Sequence, residues 1–264
     1  MTIPAYEHLL VARDVGVATV TLNRPDSMNA LNMGLKGELA QVVAELADDA
    51  DVRCVVLTGA GRAFSAGGDI SEMELNDSPV RSRSRLTVLL RDVVIPLAEM
   101  EKPTVAAING HAHGAGLSLA LACDLIIAAD TAQLSCAFSK LGLLPDLGAL
   151  YFLPRRLPMS VAKELVFTGR RFGAAEALQM QLINRVVPAD ELAGAVHELA
   201  VSLAAAPTVA LGIAKRLLEQ SLESTLVEMA QLEAFGQAVL YTTSDHLAAR
   251  DAFSRKAIPA FLGR

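Results

Sequence analysis

The sequence predicts an α/β core to about residue 200 followed by an all-helical region, and three observations lead there. Short apolar runs alternate with stretches of helical periodicity along the first part of the chain, the pattern of strands joined by crossover helices. Ala and Leu dominate, Trp is absent and aromatic residues are only 4%, so helices should outweigh strands. Beyond Pro188 the strand-like runs stop. The expected division is a core over residues 1–200 and a helical region over 201–264.

Residues 6–13 and 15–22 read as two strands joined by a tight Asp14-Val15-Gly16 turn, with period-two alternation from Val15 to Val20. Arg24-Pro25-Asp26 breaks that pattern. Asn32 is placed to cap a helix reaching about Asp48, with Leu35, Leu39, Val42, Val43 and Leu46 on one face. Residues 52–58 form a short strand, apolar from Cys54 to Leu57, and strands separated by helices imply parallel pairing. A loop of small residues covers 59–70. The most polar stretch, 71–91, carries Arg81, Arg83, Arg85 and Arg91 beside Pro79; it is expected to begin as a mobile segment and continue as a helix to Glu101.

Residues 104–108 read as a buried strand, Asn109-Gly110 as a turn, and His111-Ala112-His113-Gly114-Ala115-Gly116 as the entry to an Ala/Leu-rich helix ending near Cys123. A strand feeding through small residues into a helix leaves unpaired backbone N–H groups where partial positive charge collects. Another apolar run covers 125–129, and 134–158 shows little clean periodicity. Residues 161–168 and 174–181 read as short helices, and 182–187 lead to Pro188. Four helices follow, 190–205, 207–220, 225–240 and 245–256, with Pro207 suited to the first position of its helix.

Composition narrows the function. Hydrophobic content of 52% with 20% charged residues describes a chain that buries a large core. A net charge of −6 argues against non-specific nucleic-acid binding, which needs a basic face. No apolar run approaches a membrane span, and no basic-then-apolar leader pattern is present. Cys54, Cys123 and Cys136 sit in or beside apolar runs at unrelated spacings, so buried free thiols and a reducing, cytoplasmic location are expected.

Several stretches invite chemistry. Gly59-Ala60-Gly61-Arg62-Ala63-Phe64 begins like a dinucleotide fingerprint, but Phe64 stands at the third glycine, where bulk blocks helix–strand packing. His111 and His113 have the spacing of strand ligands; without an acidic or cysteine partner nearby, a turn-exposed pair is favoured over a metal site. Gly116-Leu117-Ser118-Leu119-Ala120 is close to a nucleophile elbow, with Ala120 where the last glycine belongs. A helical Ser118 bonding back to the preceding turn is the favoured reading. The arginines from 81 to 91 are read as a solvated helix face in preference to a wall for an anionic ligand. For Asp146 two readings stand open: a cap for a helix starting at Leu147, or a partly desolvated carboxylate whose raised pKa suits proton transfer.

Phe64-Ser65-Ala66-Gly67-Gly68-Asp69-Ile70 and the run from Ala106 to Gly116 together resemble the crotonase superfamily, the enoyl-CoA hydratases and isomerases. Leu22-Asn23-Arg24-Pro25, Cys123-Asp124, Thr168-Gly169-Arg170 and the ending Ala252-Phe253 … Lys256 … Pro259 … Phe261 extend the resemblance over nearly the whole chain. It implies a spiral of ββα units followed by a helical trimerisation region, and a homotrimer or a dimer of trimers. It also implies an acyl-CoA thioester substrate, with coenzyme A part of that substrate, no separate cofactor and no metal.

Carried over by position, the resemblance puts the two oxyanion-hole N–H groups at Ala66 and Ala115. It implicates Arg24 and Ala30, the loop residues Ser65, Ala66, Gly67, Gly68, Asp69 and Ile70, then Gly114, Phe138, Leu143 and Lys256 in binding the substrate. The two glutamates that hydratases use fall on Ser118 and Phe138, so neither is a carboxylate here. Asp146, in Phe138-Ser139-Lys140-Leu141-Gly142-Leu143-Leu144-Pro145-Asp146, matches the catalytic aspartate of double-bond isomerases and looks most like isomerases of phenylacetate-type degradation. The expectation is an enoyl-CoA isomerase with Asp146 as proton shuttle. A hydratase of the same family, a non-catalytic acyl-CoA-binding scaffold and, last, a serine hydrolase through Ser118 are its alternatives.

Overall fold

The computed structural model describes residues 6–73 and 78–264. Its centre is a six-stranded sheet in the order β1 (Leu9–Asp14), β2 (Val17–Leu22), β3 (Cys54–Gly59), β5 (Thr104–Ile108), β7 (Leu125–Ala129) and β10 (Arg185–Val187) among the described residues. The first pair is an antiparallel hairpin, and every later pairing is parallel. Val15 and Gly16, with φ of 44° and 76°, form the two-residue hairpin loop, whose left-handed residues match the right-handed twist of the strands it joins. Alternate residues of the parallel strands face opposite ways. Val56, Val105, Ala107, Ile127 and Ala129 pack with Leu192, Val196 and Ala200, while Val55, Leu57, Ala106, Ile108 and Ile126 belong to the larger core on the other face.

Short strands continue several of the long ones into a second sheet, β4 (Ala63–Ser65), β6 (His111–His113), β8 (Gln133–Ser135) and β9 (Arg171–Gly173). Thus β3 turns into β4, β5 into β6 and β7 into β8, and each step advances one strand in both sheets. Three-residue strands carry too little pattern to read, and the sequence expectation missed all four. His111 and His113 are therefore strand residues, partly buried with ring centroids 5.4 Å apart, and not the turn-exposed pair expected. Burial holds His113 neutral, its pKa pushed down to about 4, with its Nδ1 2.8 Å from the Ser135 hydroxyl.

The helices are α1 (Met33–Asp48), α2 (Ile70–Met73), α3 (Pro79–Leu89), α4 (Ile95–Glu99), α5 (Ala115–Leu121), α6 (Ala149–Arg156), α7 (Met159–Thr168), α8 (Ala174–Gln179), α9 (Leu192–Ala204), α10 (Thr208–Ser221), α11 (Leu226–Leu240) and α12 (Ser244–Ser254). In α1 the Asn32 side chain accepts from Leu35 N–H and the five anticipated apolar residues are buried. A π turn over Leu90–Val94 joins α3 to α4, and only Leu89 of α3 is buried, so its arginine-bearing stretch is exposed as expected. The expected mobile start of that stretch lies partly outside the described residues. Pro207 sits at the N-cap of α10, one place earlier than anticipated. All three cysteines are buried free thiols, and burial raises each of their pKa values to between about 11 and about 12. No single described helix is long and apolar enough to cross a membrane.

Candidate active site

Strands β4, β6 and β8 run parallel and side by side, Ala63 opposite His111 and Ala112 opposite Leu134. The loops leaving their C-terminal ends therefore converge, as they do at strand ends in open parallel sheets. The first loop is Ala66–Asp69, the second Gly114–Ala115 at the start of α5, and the third begins at Cys136 and reaches Asp146 after a 3₁₀ turn. The contact is intimate. A Cβ on Gly67 (φ 97°) would lie 2.7 Å from His113 O and 3.3 Å from Ala115 N. One on Gly116 would lie 2.4 Å from Ser65 O, so α5 meets β4 backbone to backbone only because Gly116 has no side chain.

The first loop is braced from β2 and α1. Asn29, fully buried, donates to Ala60 O and Ala63 O and accepts from Arg24 N–H. Arg24 Nη1 donates to Ala30 O and pairs with the Asp69 carboxylate at 3.0 Å. The Ser71 hydroxyl and then Arg24 hold Asp69 below the usual carboxylate range. Ser65 is also structural: its Oγ donates to Asn29 O and accepts from Gly67 N–H.

One expectation is corrected here. Ala66 N–H donates to Met28 O at 2.8 Å, which removes it from the expected oxyanion pair. Two residues on, Leu31 bridges Gly68 in parallel fashion: Leu31 N–H donates to Gly67 O at 2.8 Å and Leu31 O accepts from Asp69 N–H. The intervening Gly68 N–H points away from Leu31. Among the described residues neither Gly68 N–H nor Ala115 N–H has a hydrogen-bond partner. Ala115 is also the first residue of α5, where N–H groups are left over by the helix and its dipole is positive.

Asp146 is the third component. It does not cap α6: that helix starts at Ala149, with Gly148 as N-cap and no side-chain cap bond. Its Oδ1 is buried without a hydrogen-bond partner. Burial raises its pKa from 3.8 to about 6, opposed by the positive charge of Lys36 on α1. The open choice between cap and desolvated carboxylate is thereby decided for the second. Cys136 shares this neighbourhood, since the Asp146 charge helps raise the thiol pKa. Neither Lys36 nor Cys136 announces itself in sequence, because their proximity to Asp146 is purely tertiary.

The remaining expected residues divide. Phe138 is buried, its ring 3.8 Å from where a Gly114 Cβ would stand, so it closes over the entry to α5. Ser118 is 1% exposed and its hydroxyl donates back to Gly114 O at 3.2 Å, the structural role anticipated for it. Ile70, the first residue of α2, and Leu143, on the third loop, are exposed apolar residues. Lys256 lies on the exposed segment after α12, and among the described residues no hydrogen bond or ion pair joins it to the rest of the site. No group of three or more His, Cys, Asp or Glu suited to a metal occurs among the described residues.

The family model for enoyl-CoA hydratase/isomerase matches residues 12–264. The chain belongs to that family. Among its relatives, the 1,2-epoxyphenylacetyl-CoA isomerase of Escherichia coli is 35% identical over 98% of this chain and 99% of its own. The short-chain-enoyl-CoA hydratase of Clostridium acetobutylicum is 36% identical over 94% of this chain and 95% of its own. The crystal structure of enoyl-CoA hydratase from Bacillus anthracis superposes with a TM-score of 0.92 at 32% identity, covering 98% of this chain and 100% of that one. The fold is thus of the crotonase type. Relatives of the family carry both reaction names, so membership establishes the enzyme class and leaves the direction of the chemistry to the residues.

Proposed function

We propose that the protein is an enoyl-CoA isomerase that moves a carbon–carbon double bond by proton transfer through a thioester enolate. Gly68 N–H and Ala115 N–H hold the thioester oxygen as it gains negative charge. Asp146 takes a proton from one carbon of the acyl chain and returns it to another. Each backbone donor in such a hole contributes roughly 2.7–4 kcal/mol to the transition state. A base with pKa near the working pH both accepts and releases a proton readily.

The observation that carries this reading is the buried, unpartnered Oδ1 of Asp146 with its pKa raised to about 6. Ser118 and Phe138 support it, since both positions that would hold and activate water are without a carboxylate. Phe138 also helps keep water from the enolate. Coenzyme A arrives as part of the substrate, and Arg24 and Lys256 are the cationic groups offered to its phosphates. Three buried thiols support a reducing, cytoplasmic setting. The apolar residues left exposed on α11, among them Leu226 and Phe235, support a trimer or a dimer of trimers.

The hydratase reading is favoured by the names of relatives such as the Clostridium enzyme. It would require Asp146 to manage both proton steps of water addition alone. Incubation with a β,γ-enoyl-CoA and, separately, an α,β-enoyl-CoA distinguishes the two by the absorbance of the conjugated thioester. An isomerase raises it with the first and leaves the second nearly unchanged; loss of the second alone sinks the proposal. Asp146→Asn should abolish turnover and leave acyl-CoA binding nearly intact. A scaffold binds acyl-CoA and turns over neither substrate.

A further inference from the structure

Asp146 is delivered by a turn that its sequence does not announce. Asp146 O accepts from Ala149 N–H at 3.1 Å, and both residues between are left-handed: Leu147 at φ 49°, Gly148 at φ 82° and ψ 1°. These angles approximate a type I′ turn, which favours Gly, Asn or Asp at its first central position. Glycine adopts that region freely; leucine does not. What holds Leu147 there is burial, since it is 2% exposed and part of the main core. Gly148 is equally constrained, a Cβ there meeting Phe152 Cε2 at 2.5 Å and Val94 Cγ1 at 3.4 Å.

The turn has a chemical consequence. With Leu147 in the right-handed region, α6 would begin there and Asp146 would be its N-cap, as Pro145-Asp146-Leu147 reads locally. The carboxylate would then accept first-turn N–H bonds, which stabilise its charge and make it a poor base. The turn instead starts α6 at Ala149 behind Gly148, and Asp146 Oδ1 is left without a partner.

We infer that Leu147 is a positioning residue: its buried side chain holds the left-handed turn that denies Asp146 the cap of α6 and keeps its Oδ1 unpartnered for substrate. This deepens the reading of Asp146 as proton carrier and rests on it. Lys36 on α1 and the Cys136 thiol following β8 are groups coupled electrostatically to Asp146 among the described residues, and neither belongs to the turn.

The test is the titration of the Asp146 carboxyl in the full chain, followed by carbon-13 NMR and assigned by the signal lost in Asp146→Asn. Leu147→Ala and Leu147→Gly both delete the anchoring side chain, but only glycine keeps the left-handed conformation without it. Wild type and Leu147→Gly should titrate together near the raised value. Leu147→Ala should bind its proton at least tenfold more weakly, with kcat down at least tenfold and KM little changed. Should the glycine variant not fold, Leu147→Asn takes its place, since asparagine tolerates the left-handed region. The inference is overturned if Leu147→Ala titrates with wild type, or if the alanine and left-handed-tolerant variants shift alike. Full activity in Asp146→Asn would defeat the proton-carrier reading separately, while the titration still decides the role of the turn.

Discussion

Asp146 sets a site residue against the stability of the fold. Its pKa is about 6 in the folded chain against an ordinary 3.8, so the folded state holds the proton more tightly. Between those values the unfolded chain ionises first, and stability falls as pH rises. Above about 6 both states are ionised and the whole cost of burying the charge is present; below about 4 both are neutral and it vanishes. The shift corresponds to roughly 3 kcal/mol. Asp146→Asn should therefore be inactive yet more stable than wild type by roughly 1–3 kcal/mol at pH 8, the gain shrinking toward pH 4. Urea denaturation at the two pH values measures this, and an equal effect at both would refute a raised pKa. At this scale the sequence conveys the identity of the carboxylate but not its state. An aspartate between Pro145 and Leu147 reads equally well as a cap until the conformation of Leu147 is known.

The elements explain why two backbone donors meet. β4 and β6 are parallel neighbours, and α5 starts directly against Ser65 because Gly116 presents no Cβ. Gly116→Ala would push a methyl to 2.4 Å from a backbone oxygen, so α5 must move away from the first loop. Overpacking of this kind costs about 1–3 kcal/mol of stability. We expect kcat to fall at least tenfold as Ala115 N–H leaves its place, with a smaller change in KM, since the contacts proposed for coenzyme A lie elsewhere. Steady-state kinetics beside a melting curve would check both; unchanged kcat would detach α5 from the oxyanion hole. Long elements were legible because their signals are local. Asn32 and the spacing of five apolar residues define α1, and the largely apolar runs at 104–108 and 125–129 define β5 and β7. The short strands of the second sheet were not, since three residues cannot display a period.

For the whole molecule, the unfinished part is the C-terminal helices. No residue of α11 is buried, and Leu226 and Phe235 stand 84% and 75% exposed in the single chain. Apolar faces of that kind are covered in stable assemblies. Sedimentation should find three or six chains at micromolar concentration, and Phe235→Glu should lower the number; a monomeric wild type would refute the assembly proposed above. The amino-acid order alone was sufficient for most of the longer strands and helices, the buried thiols, the family resemblance and the aspartate, because each is written in a few neighbouring residues. Three matters waited for the folded chain. Gly68 replaces Ala66 as the unpaired donor because Met28, 38 positions earlier, takes the Ala66 N–H. Asp146 is a buried carboxylate instead of a cap because Leu147 and Gly148 form a left-handed turn ahead of α6. The three loops converge because β4, β6 and β8 are adjacent and parallel. Each depends on contacts between distant segments, and local propensity carries no information about those.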